Sequence, residues 1–187
     1  MKCSVFIATS ADGYIATPEG GVDWLQTAGN PKAEMGNNAD MGFNAFIDSV
    51  DCMIMGRKCM EVIAAMHLTP EQWPYRDLPI VVLSKTVRKP LKGLGYHAEI
   101  FASDIGDLIK DLEGRGLKHA YVDGGATITS FINRRLINEM TITQAPILLG
   151  NGIPLFGTLE HSVMLEKPES MVFPNGFIQY TYSVGYT

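Results

Sequence analysis

The stretch Ala120-Tyr121-Val122-Asp123-Gly124-Gly125-Ala126-Thr127 places a short apolar run, a pair of glycines and the start of a helical segment in direct succession. The apolar run predicts a buried strand, and the glycines predict a tight turn before a helix over residues 126–136. A similar succession occurs earlier, where the apolar run 52–55 leads through Gly56 into a predicted helix over residues 58–66. Strands that alternate with helices are typical of a parallel sheet with crossover helices.

The C-terminal part of the chain has a different pattern. Two strand-like runs, 163–173 and 177–184, flank Pro174-Asn175-Gly176, which is a hairpin signal. The other predicted elements are, in chain order, strand 4–9, strand 14–16, an irregular loop 17–37, helix 40–50, strand 80–83, strand 98–101, helix 104–113 and strand 140–143. We therefore predict an α/β fold with a three-layer mixed sheet, mainly parallel and closed by a C-terminal antiparallel hairpin, in a single domain over residues 1–187.

Length, charge and cysteine content argue against several classes of partner. The chain has 187 residues and a net charge of −5, which argues against nucleic acid because phosphate backbones require a basic face. No apolar run reaches the ~20 residues that span a bilayer. The three cysteines, Cys3, Cys52 and Cys59, follow neither a disulfide framework nor metal-site spacing. We expect a cytoplasmic protein that binds a small molecule, with no nucleic-acid, membrane or metal partner.

Small and basic residues follow three of the predicted strands, at the edge where open α/β sheets bind their ligands. Gly124-Gly125 lets a backbone approach a ligand closely, and the N–H groups of the helix that follows attract phosphate oxygens. The alternative is a tight strand–helix turn without a ligand. Arg57 and Lys85 each follow a strand end and are candidates to flank a phosphate, or else are two solvated surface charges.

Two further residues are candidates for the substrate side of a site. Asp40 precedes an amphipathic helix, and a carboxyl there, its proton affinity raised by burial, can relay a proton. The alternative for Asp40 is a helix N-cap, and the two functions are compatible. Trp24 lies in the Gly/Pro-rich loop 17–37, where it either packs over a pocket or anchors the loop.

The ordered set of these segments is more specific than any one of them. The segments are Ser10-Ala11-Asp12-Gly13-Tyr14-Ile15-Ala16, Gly21-Val22-Asp23-Trp24-Leu25, Asp51-Cys52-Met53-Ile54-Met55-Gly56-Arg57-Lys58-Cys59-Met60-Glu61, Val82-Leu83-Ser84-Lys85, Val122-Asp123-Gly124-Gly125 and Ala145-Pro146-Ile147-Leu148-Leu149-Gly150-Asn151-Gly152-Ile153-Pro154-Leu155-Phe156. In this order they resemble the dihydrofolate reductase-like superfamily. The likeness is greatest to the branch that contains the C-terminal reductase domain of the riboflavin-biosynthesis deaminase/reductase and its stand-alone relatives.

The resemblance implies a cofactor, an assembly and a set of site residues. It implies NADPH as hydride donor, a homodimer, and cofactor contacts from Ala8, Ile15, Gly56, Arg57, Lys58, Leu83, Ser84, Lys85, Gly124, Gly125, Ala126, Thr127 and Ile128. Among these, Arg57 and Lys85 become the candidates for the adenosine 2′-phosphate. Asp40 falls on the position of the substrate-binding carboxylate, and Trp24 and Thr143 fall on pocket positions.

The function implied is an NADPH-dependent reductase of a small heterocyclic substrate, resembling 5-amino-6-(5-phosphoribosylamino)uracil reductase. Dihydrofolate reductase activity and a non-catalytic NADPH-binding module are the alternatives. Folate reductases hold the glutamate tail of folate with an arginine just before the strand predicted over residues 80–83. This chain has Leu78 there, which argues against folate.

Overall fold

Strands and helices alternate through most of the chain. The computed structural model describes residues 1–94 and 97–186. The elements are β1 (Lys2–Ser10), β2 (Tyr14–Ala16), α1 (Trp24–Thr27), α2 (Phe43–Ser49), β3 (Cys52–Gly56), α3 (Arg57–Ala65), β4 (Ile80–Leu83), β5 (Ala98–Phe101), α4 (Ile105–Gly114), β6 (His119–Asp123), α5 (Gly125–Asn133), β7 (Glu139–Ala145), β8 (Ile153–Pro154), β9 (Met164–Val172) and β10 (Ile178–Gly185). Short 3₁₀ turns occupy Gly36–Asn38 and Pro70–Gln72.

Eight strands form one mixed sheet in the order β5-β4-β3-β6-β1-β7-β10-β9. The first six are parallel neighbours, with β1 between β6 and β7. Of the last two, β10 runs antiparallel to β7, and β9 runs antiparallel to β10, as the hairpin signal predicts. Strands β2 and β8 pair separately as a small antiparallel ribbon. The predicted mixed sheet with a C-terminal antiparallel hairpin is confirmed.

Helices cover both faces of the sheet because successive strand residues point to opposite sides. On one face, Ile54 of β3 belongs to a buried cluster with Leu108 of α4 and Phe131 of α5. On the other face, Met53 and Met55 pack in a second cluster that includes residues of α2 and α3. Within the described part of the chain, no helix is long and apolar enough to cross a membrane.

The largest departures from the sequence prediction lie before β3 and after β7. The predicted helix 40–50 begins only at Phe43, because Met41 (φ 51°) and Gly42 (φ 85°) adopt left-handed backbone that an α-helix cannot contain. The predicted irregular loop 17–37 contains helix α1, and β8 was not predicted at all. Both are very short elements whose conformation depends on distant partners.

Candidate active site

Helices α3 and α5 begin side by side at the carboxyl ends of β3 and β6. Gly56, the last residue of β3, lies so close to α5 that an added Cβ would be 2.9 Å from Thr127 Oγ1. The N–H groups of the first turn of each helix have no acceptor within the helix, and both helix dipoles are positive there. Two adjacent helix starts of this kind attract an anion such as a phosphate group.

Gly124 and Gly125 are both required by close packing of the chain on itself. Gly124 has φ +90°, and a Cβ there would collide with Cys59 Sγ. A Cβ on Gly125 would lie 2.6 Å from Pro154 O and 2.8 Å from Leu155 O. The tight-turn interpretation therefore describes the local geometry, and the same geometry leaves the start of α5 bare of side chains.

The predicted phosphate-binding cations lie at this edge of the sheet in different states. Arg57 forms an ion pair with Glu61 one turn along α3, whereas Lys58 and Lys85 are exposed. Lys85 forms none of the ion pairs found among the described residues. The hydroxyl of Ser84 accepts hydrogen bonds from the backbone N–H groups of Thr86 and Val87, which shapes the turn that presents Lys85.

The other predicted cofactor residues differ in their exposure. Ala126 is exposed at the start of α5, whereas Thr127 and Ile128 are buried. Ile15 lies beside Gly125, with its Cδ1 3.4 Å from the position of an added Cβ, and Leu83 is half-buried against the core. Their contacts with a cofactor stay predictions.

A cavity of about 250 Å³ lies over β1 and β7, on the sheet face that carries α2. It is lined by Phe6, Ala8, Leu25, Gln26, Ala28, Pro31, Asp40, Met41, Thr143, Asn175 and Phe177. Ala8 and Thr143 are register partners on neighbouring strands, so they meet at its floor. The ring of Phe6 is held by Phe43 and Phe46 of α2, with ring centroids 5.5 and 5.0 Å away. The cavity thus unites three of the predicted site residues: Ala8, Asp40 and Thr143.

Asp40 is held by backbone amides. Its Oδ1 accepts from Gly42 N (3.1 Å) and its Oδ2 from Asn44 N (2.9 Å), so it caps the start of α2. These hydrogen bonds hold the pKa of the Asp40 carboxyl below its usual range, and the one from Asn44 N has the largest effect. The predicted rise in proton affinity through burial is wrong, because hydrogen bonds to the charged form outweigh desolvation. At neutral pH Asp40 is a carboxylate that accepts hydrogen bonds.

Trp24 is an anchor of the loop that precedes α2. Its side chain is buried in a cluster with Ala28, Ala145, Phe173 and Phe177, and it is not among the residues that line the cavity. The next residue, Leu25, and Ala28 do line it. Trp24 Nε1 is buried and has no hydrogen-bond partner within residues 1–94 and 97–186. A direct contact of Trp24 with substrate stays a prediction.

Asp123 is the residue that the sequence prediction missed. It ends β6, directly before Gly124, and burial raises the pKa of its carboxyl from 3.8 to about 6. The Tyr121 hydroxyl lies 3.3 Å from Asp123 Oδ1 and 3.0 Å from the carbonyl oxygen of Phe6, which lines the cavity. The sequence places Asp123 at the end of the predicted strand, beside the glycine turn, and assigns it no role of its own. The available signal was a carboxylate at a strand end, between an apolar strand and a helix start.

The surroundings of Asp123 are poor in compensating charge. Burial raises the pKa of Tyr75 and Tyr121, and the Asp123 charge adds to the rise in both. Burial likewise raises the pKa of the Cys59 thiol to about 12, so Cys59 is not a thiolate nucleophile. Among residues 1–94 and 97–186, no group of three or more His, Cys, Asp or Glu side chains could hold a metal ion.

Comparison with known proteins gives matches along nearly the whole chain. The family described as “RibD C-terminal domain” matches residues 2–179. The uncharacterized Bacillus subtilis protein YwjB is 30% identical over 165 residues, which are 88% of this chain and 87% of that protein. The solved structure of a “Putative riboflavin biosynthesis protein” from Shewanella sp. PV-4 is 40% identical, covers 100% of both chains and has a TM-score of 0.87.

The fold also recurs in a dihydrofolate reductase. The Enterococcus faecalis enzyme, solved with NADP(H) and RAB-propyl, has a TM-score of 0.65 over 99% of this chain and 97% of its own, at 14% identity. That likeness concerns the fold alone. Together the comparisons confirm the resemblance predicted from the sequence and the fold class that it implied.

Proposed function

Because this chain belongs to the RibD C-terminal domain family, we propose that it is an NADPH-dependent reductase of a small heterocyclic substrate, in the class of 5-amino-6-(5-phosphoribosylamino)uracil reductase. The observation that carries the proposal is Asp123, a carboxyl with a pKa of about 6. Asp123 directly precedes Gly124 at the start of α5, and the Tyr121 hydroxyl links it to the carbonyl oxygen of Phe6, which lines the cavity. A buried carboxyl with a raised pKa, close to an anion-binding helix start, is a candidate proton donor for a hydride-transfer reaction.

Different residues of the chain bind the cofactor, hold the substrate and donate the proton in such a reaction. The starts of α3 and α5 bind the phosphates of the dinucleotide, with Arg57 and Lys85 at the 2′-phosphate. The bound cofactor supplies the hydride. The walls of the cavity, with Phe6 and Phe177 among them, hold the substrate ring and exclude water. Asp123, protonated in part of the molecules near neutral pH, donates the proton that the reduced substrate takes up.

The proposal is tested by incubating the purified protein with NADPH and a panel of heterocycles that includes ribosylaminopyrimidines and dihydrofolate. Loss of the near-ultraviolet absorbance of NADPH with one panel member, but not without it, is expected. NADPH binding with no oxidation by any member would indicate a binding module instead of an enzyme. A protein that does not bind NADPH would refute the proposal.

Lys85→Ala is expected to raise the Kd for NADPH about tenfold, which corresponds to ~1.4 kcal/mol. The Kd for NADH is expected to stay within about twofold, because NADH lacks the 2′-phosphate. Both values are measured by calorimetric titration. Lys110→Ala, which removes an exposed lysine in the middle of α4, is the matched control and should change neither. An equal loss for both cofactors would show that Lys85 does not contact the 2′-phosphate.

We also propose that the chain forms a homodimer through the β9–β10 hairpin. Tyr180 and Tyr182 stack on one face of β10, half-exposed, next to the exposed Val172 and Leu165 of β9. Direct β9–β9 pairing is disfavoured by Pro168 and by Lys167 (φ 50°) in the middle of the edge strand, so the contact is between sheet faces.

Tyr182→Glu is expected to convert a dimer into a monomer in sedimentation velocity, because it buries a charge in the proposed contact. Lys167→Glu changes the charge of the same hairpin in its bulge and should leave the dimer intact. A wild-type protein that sediments as a monomer at high concentration would refute this proposal and leave the reductase proposal untouched.

A further inference from the structure

Gln179 of β10 bridges the two sides of the cavity. Its Nε2 donates to the carbonyl oxygen of Met41 (3.0 Å) and to Thr143 Oγ1 (2.9 Å). The orientation of the amide follows from chemistry, since the Met41 carbonyl only accepts and must therefore face the NH₂ group. Thr143 Oγ1 is then an acceptor toward Gln179, and its own proton is left for a different acceptor.

Asp40 offers the cavity a hydrogen-bond acceptor, whereas Thr143 offers it a donor. Each of its carboxylate oxygens accepts one backbone N–H, which leaves further lone pairs on both. The cavity is therefore lined by an ionised acceptor at Asp40 and a hydroxyl donor at Thr143. Most of the other walls are apolar, with Phe6, Leu25 and Phe177 among them.

The lining of the cavity, as far as the structure describes it, offers no cation to a phosphate. The residues that line the cavity in the described part of the chain include no lysine, arginine or histidine, and the carboxylate of Asp40 repels a second negative charge. A volume of about 250 Å³ lies below the ~300 Å³ at which drug-sized ligand sites begin, so it suits one ring system.

The rim of the cavity is fixed. Asn30 N donates to Asn175 O at 2.9 Å, and Gly29 packs so tightly on Asn175 O that no Cβ would fit. The loop before α2 is thereby joined to the turn of the C-terminal hairpin. Widening of the cavity on this side would break that contact.

We propose that Gln179 fixes the hydrogen-bonding polarity of this cavity, so that it takes a planar nitrogen heterocycle without a phosphate, with N–H donors toward Asp40 and an acceptor toward Thr143. Gln179 is a positioning residue, because it acts through the Thr143 hydroxyl. This inference rests on the proposed function only in naming the ligand a substrate. It narrows that function to relatives of the phosphoribosylated pyrimidines that lack the phosphate.

The test compares three probes by ligand-observed NMR, with the full chain and NADPH present. Cytosine offers an amino group and a ring-nitrogen acceptor, 2,4-dimethoxypyrimidine has no N–H donor, and cytidine 5′-monophosphate adds the phosphate. Cytosine is expected to bind at least about tenfold more tightly than either of the others, a difference of ~1.4 kcal/mol. Equal or tighter binding of cytidine 5′-monophosphate would overturn the proposal.

Two variants separate positioning from structural support. Gln179→Met keeps the side-chain volume and removes both hydrogen bonds, and it should lower the cytosine-to-dimethoxypyrimidine preference about tenfold with the Kd for NADPH unchanged. Thr181→Val is the matched control, because the Thr181 hydroxyl lies on the same strand but pairs with Thr141, 3.1 Å away. An unchanged preference in Gln179→Met would overturn the role of Gln179. If the proposed function alone is wrong, the protein will not bind NADPH but will still prefer cytosine to the other two probes.

Discussion

Asp123→Asn is expected to reduce NADPH-dependent turnover about 10²- to 10³-fold at neutral pH, because asparagine keeps the shape of the side chain but cannot donate a carboxyl proton. Positioned general acids contribute ~10²–10⁴-fold to rates. The asparagine carbonyl can still accept from the Gly124 N–H, so the turn before α5 should persist. Turnover is measured with the panel member that the wild type reduces. A loss of less than about threefold would exclude Asp123 as the proton donor.

The pH dependence of the wild type should follow the same carboxyl. Burial raises the pKa of Asp123 to about 6, and only the protonated form donates, so kcat should decrease as pH rises through that value. Asp123→Asn should lack this limb. A wild-type profile that is flat between pH 5 and pH 8 would contradict the assignment.

The same substitution should make the protein more stable in alkali. The folded-state pKa of Asp123 is raised above its unfolded value of 3.8, so the charged carboxyl opposes folding increasingly between about pH 4 and pH 6. The rise of about two pKa units corresponds to ~3 kcal/mol, which partial solvent access reduces to about 2. Urea unfolding at pH 8 should therefore give Asp123→Asn about 2 kcal/mol more stability than wild type.

At pH 3 the difference should nearly vanish, because the Asp123 carboxyl is then mostly protonated in both the folded and the unfolded chain. Four other carboxyls also make the stability depend on pH, but their contributions are the same in wild type and variant and cancel in the comparison. They are those of Asp12, Asp40, Asp51 and Asp104. Hydrogen bonds lower the pKa of those four carboxyls, which gives their contributions the opposite sign. Equal stability of wild type and variant at pH 8 would show that the Asp123 carboxyl is better solvated than the structure indicates.

Gly125→Ala is expected to reduce stability by about 3 kcal/mol and to abolish NADPH binding. The new Cβ would lie 2.6 Å from Pro154 O and 2.8 Å from Leu155 O, and both are backbone atoms that can move only if β8 separates from α5. That movement displaces the start of α5, where the phosphates would bind. Urea unfolding and calorimetric titration with NADPH measure the two effects.

Gly114→Ala is the matched control for this substitution. Gly114 ends α4, an added Cβ there meets nothing within 4 Å, and its φ is not positive. Alanine should stabilise the protein by about 0.5 kcal/mol, because it lowers the conformational entropy of the unfolded chain. The affinity for NADPH should not change. If Gly125→Ala changed neither the free energy of unfolding nor the NADPH affinity more than Gly114→Ala does, β8 would not pack against α5 as described.

The sheet was predictable from the sequence because its strands are local apolar runs with clear ends. The run 52–55 and the run 80–83 became β3 and β4 with at most one residue of difference, and Pro174-Asn175-Gly176 became the hairpin turn. The start of α2 was not predictable in the same way. The left-handed backbone at Gly42 keeps residues 40–42 out of the helix. Asp40 nevertheless caps the helix from outside it, by accepting from Asn44 N.

The site was predictable only where one segment carries it. Gly124-Gly125 and Asp40 are visible in single motifs, and the structure places them at a helix start and in a cavity. The unusual proton affinity of Asp123 depends on burial under residues far away in sequence, and the polarity of Thr143 depends on Gln179 of another strand. Such properties arise from tertiary contacts, which the pattern of one segment does not contain.

The central claim, that this chain binds NADPH at the paired starts of α3 and α5, is tested most directly by calorimetric titration of the wild-type protein with NADPH and with NADH. Saturable binding of one NADPH per chain is predicted, about tenfold or more tighter than NADH and lost in Gly125→Ala. No saturable heat with NADPH, or equal affinity for the two cofactors together with unchanged binding in Gly125→Ala, would contradict it.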